Sequence, residues 1–168
     1  MIETIVLTLR ICVVMLAVFA AYEDVRYLRI RNTIAMAVAV LFIPVAFTLP
    51  LHSVMAHGIG GAVVLLVGFV LFMGGLLGGG DAKLLGALAL WLEPGQLPAF
   101  LLIMACTGGV VALAALGFKK VPALTRFLPV LATKAGDKSW FAALSRQETV
   151  VPYGVAIAIA TLFTFFTF

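Results

Sequence analysis

The chain has 168 residues, of which 64% are hydrophobic and 11% are charged, and its mean hydropathy is +1.24. Soluble domains are about half apolar and about a quarter charged, so this composition excludes an ordinary soluble domain. It predicts an all-α integral membrane protein with a single domain over residues 1–168. The net charge of +4 does not indicate a nucleic-acid partner, because the basic residues cluster beside apolar segments and leave little chain for a soluble binding face.

Apolar runs predict six helices in a lipid bilayer. Five runs are long enough to cross roughly 30 Å of hydrocarbon. They are residues 5–22, 33–51, 59–77, 97–118 and 150–168, and a shorter sixth run covers residues 82–92. Because backbone groups in lipid must be hydrogen-bonded within the chain, each run is predicted to be a membrane helix.

The positions of the basic residues predict the orientation. With the N-terminus outside, every basic residue except Arg10 falls on the cytoplasmic side. The two outer loops, residues 50–58 and 93–96, then contain no lysine or arginine. This agrees with the positive-inside rule and requires the short run 82–92 to cross the membrane. The chain is therefore expected to be a multi-pass protein of a cytoplasmic membrane.

A basic segment at about residues 119–149 separates the last two long runs. Its mixture of apolar and basic residues predicts amphipathic helices lying on the cytoplasmic leaflet. The predicted breaks in this segment are Pro122, Pro129 and Gly136.

Two aspartates are predicted to lie at the same membrane face. Asp24 follows the first run, and Asp81 precedes the short run 82–92. A helix of eleven residues rises only about 16 Å, so it must draw in residues 78–81 to cross, which places Asp81 beside a water-accessible cavity. Gly78, Gly79 and Gly80 are predicted to form a flexible loop that lets a substrate backbone approach Asp81.

Paired carboxylates are the candidate chemistry. Two carboxylates held close together share a proton, so one can take a proton from water while the other protonates a departing group. Asp81 at a helix N-terminus is expected to be the ionised base, and Asp24 beyond a helix C-terminus the protonated acid. Arg26 or Arg29 could reverse this assignment, and coupled carboxylates titrate as a pair.

No metal site or cofactor is predicted. Cys12 and Cys106 stand isolated within apolar runs, which does not match a zinc site or a disulfide framework. His52 and His57 fall in the predicted outer loop, away from both aspartates, and are given no role.

Three blocks of the sequence carry a family resemblance. Gly78-Gly79-Gly80-Asp81 followed by Ala82-Lys83 matches a GxGD motif, and Asp24 with Arg26, Ile30 and Asn32 matches a first aspartate block. Pro152-Tyr153-Gly154 resembles a motif of the last helix. With these blocks in order, the chain resembles type IV prepilin peptidases, the GxGD class of membrane aspartic proteases, and particularly their short Tad/Flp-pilus branch. Arg31 departs from the proline that many relatives carry before Asn32.

The resemblance implies a membrane aspartic endopeptidase that removes the basic leader from type IV or Flp prepilins in a bacterial or archaeal inner membrane. It implies Asp24 and Asp81 as the catalytic pair, and residues of the three blocks as binding or shaping the site. The latter are Asn32, Gly78, Gly79, Gly80, Lys83, Pro152, Tyr153 and Gly154. The implied partners are the lipid bilayer and the prepilin, which consists of a basic leader followed by a hydrophobic helix. The sequence lacks the cysteine motifs of longer members, so no N-methyltransferase activity is expected.

Simpler interpretations of the same residues remain open. Asp24 could pair with Arg26 or Arg29 at the interface, Asp81 could be a helix N-cap, and Lys83 could extend to the membrane surface. Two other functions are also possible from the sequence. The aspartates could relay protons in a small transporter, or they could hold helices together in a non-catalytic pilus or secretion assembly component.

Overall fold

The computed structural model describes residues 2–120, 128–146, 148 and 150–167. Within these residues the chain forms eight α-helices and no β-strand, so the prediction of an all-α protein is confirmed. The helices are α1 (Ile2–Tyr27), α2 (Asn32–Ala46), α3 (Leu51–Met73), α4 (Gly79–Ala89), α5 (Leu97–Lys120), α6 (Leu128–Ala135), α7 (Trp140–Ser145) and α8 (Tyr153–Thr167).

Six of these helices correspond to the six apolar runs. Among the helices of the described chain, α1, α3 and α5 are long and apolar enough to cross a membrane. Helices α2 and α8 are apolar but have 15 residues each, which gives a length of about 22 Å. Helix α4 has 11 residues. The chain is thus a polytopic membrane protein, and six complete crossings stay a prediction.

The first helix is longer than predicted. We expected it at residues 5–22 with Asp24 beyond its end, but α1 continues to Tyr27. Asp24 therefore lies in the last turn of α1, and the expected position was wrong. Glu23 and Asp24 are both buried against other parts of the protein. Because the helix packs on protein here, its polar side chains do not mark its end.

The outer loop predicted at residues 50–58 is also wrong. Helix α3 begins at Leu51, so His52 and His57 are helical residues. His57 is buried, and its ring centroid lies 5.5 Å from that of Phe42 on α2. This packing stabilises the first turns of α3. The hydropathy pattern did not predict these turns, because their histidine, serine and glycine residues lower the local mean hydropathy.

Helix α4 lies at the centre of the bundle and carries Asp81. Most of its residues are buried, and it packs against α2, α3 and α8. Its contact with α3 depends on small residues. A Cβ at Gly86 would lie 2.7 Å from the Cβ of Leu65, and one at Gly68 would lie 3.1 Å from the Cβ of Ala82. Small residues allow membrane helices to approach closely, so α4 is held firmly against α3.

Helix α8 packs against α1 and α5. Both α1 and α8 bury small residues completely, Ala17 and Ala20 on the first and Ala156 and Ala160 on the second. Side chains of this size let two helix backbones come close together. As a result, the first turn of α8 reaches the last turn of α1, where Asp24 lies.

The predicted amphipathic segment contains helices α6 and α7. Three of its apolar side chains pack on protein, since Leu128, Trp140 and Leu144 form a buried cluster with Ala115 of α5. Val25 of α1 packs against the same cluster. The described part of the segment therefore contacts α1 and α5 near Asp24, and its contact with the leaflet stays a prediction.

The predicted breaks in this segment behave differently from one another. Gly136 follows the end of α6 with a φ of +95°, a left-handed conformation that glycine adopts without steric cost. Pro129 lies in the first turn of α6 and does not interrupt it, because a proline there removes no intrahelical hydrogen bond. Pro122 lies outside the described residues.

Candidate active site

The last turn of α1 presents Asp24 to the first turn of α8. The side chain of Asp24 is buried, and its Oδ2 accepts a hydrogen bond of 2.8 Å from the backbone N–H of Gly154. A Cβ at position 154 would lie 2.9 Å from the Cβ of Asp24 and 3.2 Å from the Cα of Ala21. The close approach of the two helices, and the hydrogen bond that depends on it, therefore require glycine at this position.

Asp81 lies in the first turn of α4. It is buried, and its Oδ1 has no hydrogen-bond partner among the described residues. Its Oδ2 lies close to Gly78, and a Cβ added at Gly78 would be 2.5 Å from this oxygen. A carboxylate at this position of a helix is favoured by the free N–H groups and the dipole of the N-terminus. The hydrogen-bonding capacity of Oδ1 is therefore not taken up by any described residue.

The connection between α1 and α2 brings the two acids together. It has only four residues, 28–31, and Leu28 begins it with a φ of +50°. Ile30 is buried, and its carbonyl oxygen would lie 2.7 Å from a Cβ at Gly80. The lack of a side chain at Gly80 therefore allows this connection to pack directly on the first turn of α4, beside Asp81.

Both carboxylates line one cavity of about 340 Å³. Five more of the residues singled out in the sequence line it with Asp24 and Asp81, namely Asn32, Gly78, Gly79, Gly80 and Lys83. Asn32 and Lys83 are exposed, so the cavity opens to solvent. The cavity thus brings together residues that are distant in sequence, since Asp24 and Asp81 are 57 positions apart.

The remaining motif residues lie behind the cavity or away from it. Gly154 donates its backbone hydrogen bond to Asp24, and Pro152 is completely buried. Tyr153 instead lines a separate apolar cavity of about 400 Å³ that α3 and α5 also border. The Pro152–Tyr153–Gly154 block therefore supports Asp24 through one backbone group, and its side chains do not enter the polar cavity.

Three residues that line the cavity were not predicted as site residues. Leu28, Arg29 and Ile30 belong to the short connection between α1 and α2. A short polar stretch between two apolar runs did signal a tight connection there. The positive φ of Leu28 could not be predicted from the sequence, because leucine has no preference for the left-handed conformation.

Two of the sequence expectations about local structure were wrong. Gly79 and Gly80 belong to the first turn of α4, so the predicted flexible loop reduces to Gly78 and the residues before it. We also expected that only Asp81 would lie at a helix N-terminus and that Asp24 would lie beyond a helix C-terminus, and this expectation was wrong. Asp24 accepts a hydrogen bond from the first turn of α8, so a helix N-terminus faces each carboxylate, and the helix dipoles no longer assign the acid and the base.

The simpler interpretations fit the structure less well. Asp24 forms no ion pair with a cation among the described residues, and Arg26 instead donates a 2.8 Å hydrogen bond to the hydroxyl of Tyr22. The nearby ion pair joins Arg31 to Glu23. The N-cap of α4 is Gly78, not Asp81.

Lys83 donates a 3.2 Å hydrogen bond to Oδ1 of Asn32 across the mouth of the cavity. Both residues are exposed, and exposed polar pairs typically contribute about 0–1 kcal/mol. We expect Lys83→Met, Asn32→Ala and the double variant each to change the free energy of unfolding by less than about 1 kcal/mol, with a coupling below about 1 kcal/mol. A double-mutant cycle on unfolding in detergent measures this, and a coupling well above that value would show that the pair holds α2 and α4 together.

The chemistry available to the cavity follows from its side chains. It is lined by two buried aspartates, one of which has an oxygen without a hydrogen-bond partner among the described residues, and by the cations Arg29 and Lys83. Two carboxyl groups in one cavity can transfer protons to and from a bound molecule. Within the described residues, no group of three or more histidine, cysteine, aspartate or glutamate side chains is placed to hold a metal ion.

One protein family matches the sequence segment that contains both aspartates. The model of the type IV leader peptidase family matches residues 11–113, which is more than half of the sequence and includes both Asp24 and Asp81. Searches of curated proteins and of solved structures gave no significant match. The family consists of peptidases, and the helical membrane architecture described above agrees with it. The chain belongs to the type IV leader peptidase family.

Proposed function

We propose that this protein is an aspartic endopeptidase that removes the basic leader from type IV or Flp prepilins at the cytoplasmic face of the membrane. The observation that carries the proposal is the single cavity lined by Asp24 and Asp81. These residues come from different helices, and both lie within the segment matched by the peptidase family. The Tad/Flp-type substrate is taken from the resemblance of the sequence motifs.

Hydrolysis would use the two carboxylates in opposite protonation states. The ionised carboxylate takes a proton from water, and the resulting hydroxide adds to the carbonyl carbon of the scissile peptide bond. The protonated carboxyl hydrogen-bonds to the carbonyl oxygen. When the C–N bond breaks, the departing nitrogen takes a proton from the pair, which returns to its starting state.

The contacts of each aspartate suit this cycle. The N–H of Gly154 holds one oxygen of Asp24 in place. Oδ1 of Asp81 is buried without a hydrogen-bond partner among the described residues, and in the proposed cycle a water molecule or the substrate carbonyl supplies that partner. Because a helix N-terminus faces each carboxylate, either could begin as the base, and the proposal does not depend on the choice.

The cytoplasmic location is supported by charge. Arg29 and Lys83 line the cavity, and Arg26 and Arg31 lie on the neighbouring turns. Basic residues concentrate on the cytoplasmic side of membrane proteins. This charge distribution supports the proposal that the cavity opens on that side.

A reconstituted cleavage assay tests the proposed function. The purified chain in lipid vesicles is mixed with a model prepilin, and the products are mapped by mass spectrometry. We expect one cut between the basic leader and the apolar segment, made only when the face bearing Lys83 and the prepilin leader are on the same side of the bilayer. An intact prepilin, or cuts scattered along the chain, would contradict the proposal.

A further inference from the structure

A second cavity lies along the seam between α3 and α4, directly beside the polar one. It has a volume of about 610 Å³ and is mostly apolar. One wall consists of α3 side chains, namely Ala62, Leu65, Leu66, Phe69 and Phe72. We call this cavity the α3–α4 groove. The catalytic proposal makes no use of it.

Two residues join the α3–α4 groove to the catalytic cavity. Gly79 and Lys83 of α4 line both of them. Gly79 has no side chain that could separate the two cavities, and a Cβ at this position would lie 3.2 Å from the ring of Phe72. The groove and the polar cavity are therefore adjoining, with their common border within one turn of Asp81.

The groove has a defined direction. Phe72 lies at its catalytic end, next to Gly79, and Ala62 lies ten residues earlier on α3. Ten helical residues rise about 15 Å, so the groove runs about that distance along α3 from the border of the polar cavity into the membrane-spanning part of the bundle. This length accommodates about ten residues of a helix or four to five residues of an extended chain.

We infer that the α3–α4 groove binds the apolar segment of the substrate polypeptide that adjoins the scissile bond. This inference rests on the proposed function, because it places the apolar side of the substrate relative to the cleavage site. A substrate with a polar stretch followed by an apolar one matches a polar cavity that continues into an apolar groove. Burial of its apolar side chains against Leu66, Phe69 and Phe72 positions the peptide bond beside the two carboxylates.

The other apolar cavity beside α3 is a poorer candidate for the same occupant. It lies between α3 and α5 and is lined by Val63, Val67 and Tyr153 among others, but it shares no lining residue with the catalytic cavity. A segment bound there would not lead directly to Asp81. The shared border therefore selects the α3–α4 groove.

Site-specific photocross-linking tests the inference without requiring cleavage. A photoreactive phenylalanine analogue replaces Leu66 in the Asp81→Asn chain, which is reconstituted in vesicles with the model prepilin. The control carries the same analogue in place of Val70, which also faces outward on α3 but lines neither apolar cavity. The two parent side chains are similarly exposed, at 64% and 61%. We expect at least tenfold more prepilin adduct from position 66, mapping to the apolar segment.

Equal adduct yields at the two positions, or adducts at position 66 formed with lipid only, would overturn the inference. Because the chain used here does not need to cut, this result stands whether or not the cleavage assay succeeds. In the cleaving protein, Leu66→Trp fills the groove and is expected to lower kcat/KM for the full prepilin at least tenfold. Val70→Trp is expected to change it less than twofold. A short peptide without the apolar segment is expected to be cut equally by all three chains.

Discussion

Asp81→Asn is expected to lower the rate of prepilin cleavage by on the order of 10³-fold while leaving the fold intact. The amide has nearly the same size as the carboxylate, so the packing of α4 is kept. It can neither take a proton from water nor share one with Asp24. Asp24→Asn is expected to have an effect of the same size, and the measurement is the initial rate of product formation by the purified variants in vesicles.

Glu23→Gln provides a matched control for these two variants. Glu23 is a neighbouring buried acid, but it lines a different cavity and pairs with Arg31. We expect this variant to keep cleavage within about tenfold of the parent. If Glu23→Gln abolished cleavage while Asp24→Asn or Asp81→Asn remained active, a different pair of acids would have to be considered.

Gly154→Ala is expected to reduce both stability and cleavage. The added Cβ would meet the Cβ of Asp24 at 2.9 Å and the Cα of Ala21 at 3.2 Å, and neither can move aside without a backbone shift. Overpacking of this kind costs about 1–3 kcal/mol. A displacement of about 1 Å between reacting groups can lower a rate by about 10²-fold. Thermal unfolding in detergent and the cleavage assay measure the two effects.

Gly109→Ala is the matched control for that substitution. Gly109 lies inside α5, and a Cβ there would meet nothing within 4 Å. Alanine is the better helix former by about 0.8–1.0 kcal/mol, so this variant is expected to be at least as stable as the parent. If Gly154→Ala unfolded and cleaved like Gly109→Ala, the close approach of α8 to Asp24 would not matter for the site.

Hydropathy and charge predicted much of the fold because both are strong local signals in a membrane protein. The six apolar runs correspond to six helices, including the short α4, which the charge pattern had also supported. The ends of helices were less predictable. The last turn of α1 contains Glu23 and Asp24, and the first turns of α3 contain His57, and in each case polar residues continue a helix because they are buried by tertiary contacts.

The two acids of the candidate site could be predicted from the sequence, but most of the contacts that surround them could not. Asp24 and Asp81 stood out as charges at the edges of apolar runs, and the GxGD motif singled out the glycines. The hydrogen bond from Gly154 to Asp24 joins residues 130 positions apart. It arises from the packing of α8 on α1, which no local pattern encodes. The α3–α4 groove was not foreseen for the same reason, since it exists only between two helices.

The most direct test of the paired carboxylates compares the doubly substituted Asp24→Asn/Asp81→Asn chain with each single variant in the reconstituted cleavage assay. Groups that act as one unit show strongly non-additive losses. We therefore predict that the double variant cleaves no more slowly than either single one, with all three far below the parent. Either single variant cleaving at the parental rate, or losses that multiply in the double variant, would contradict catalysis by this pair.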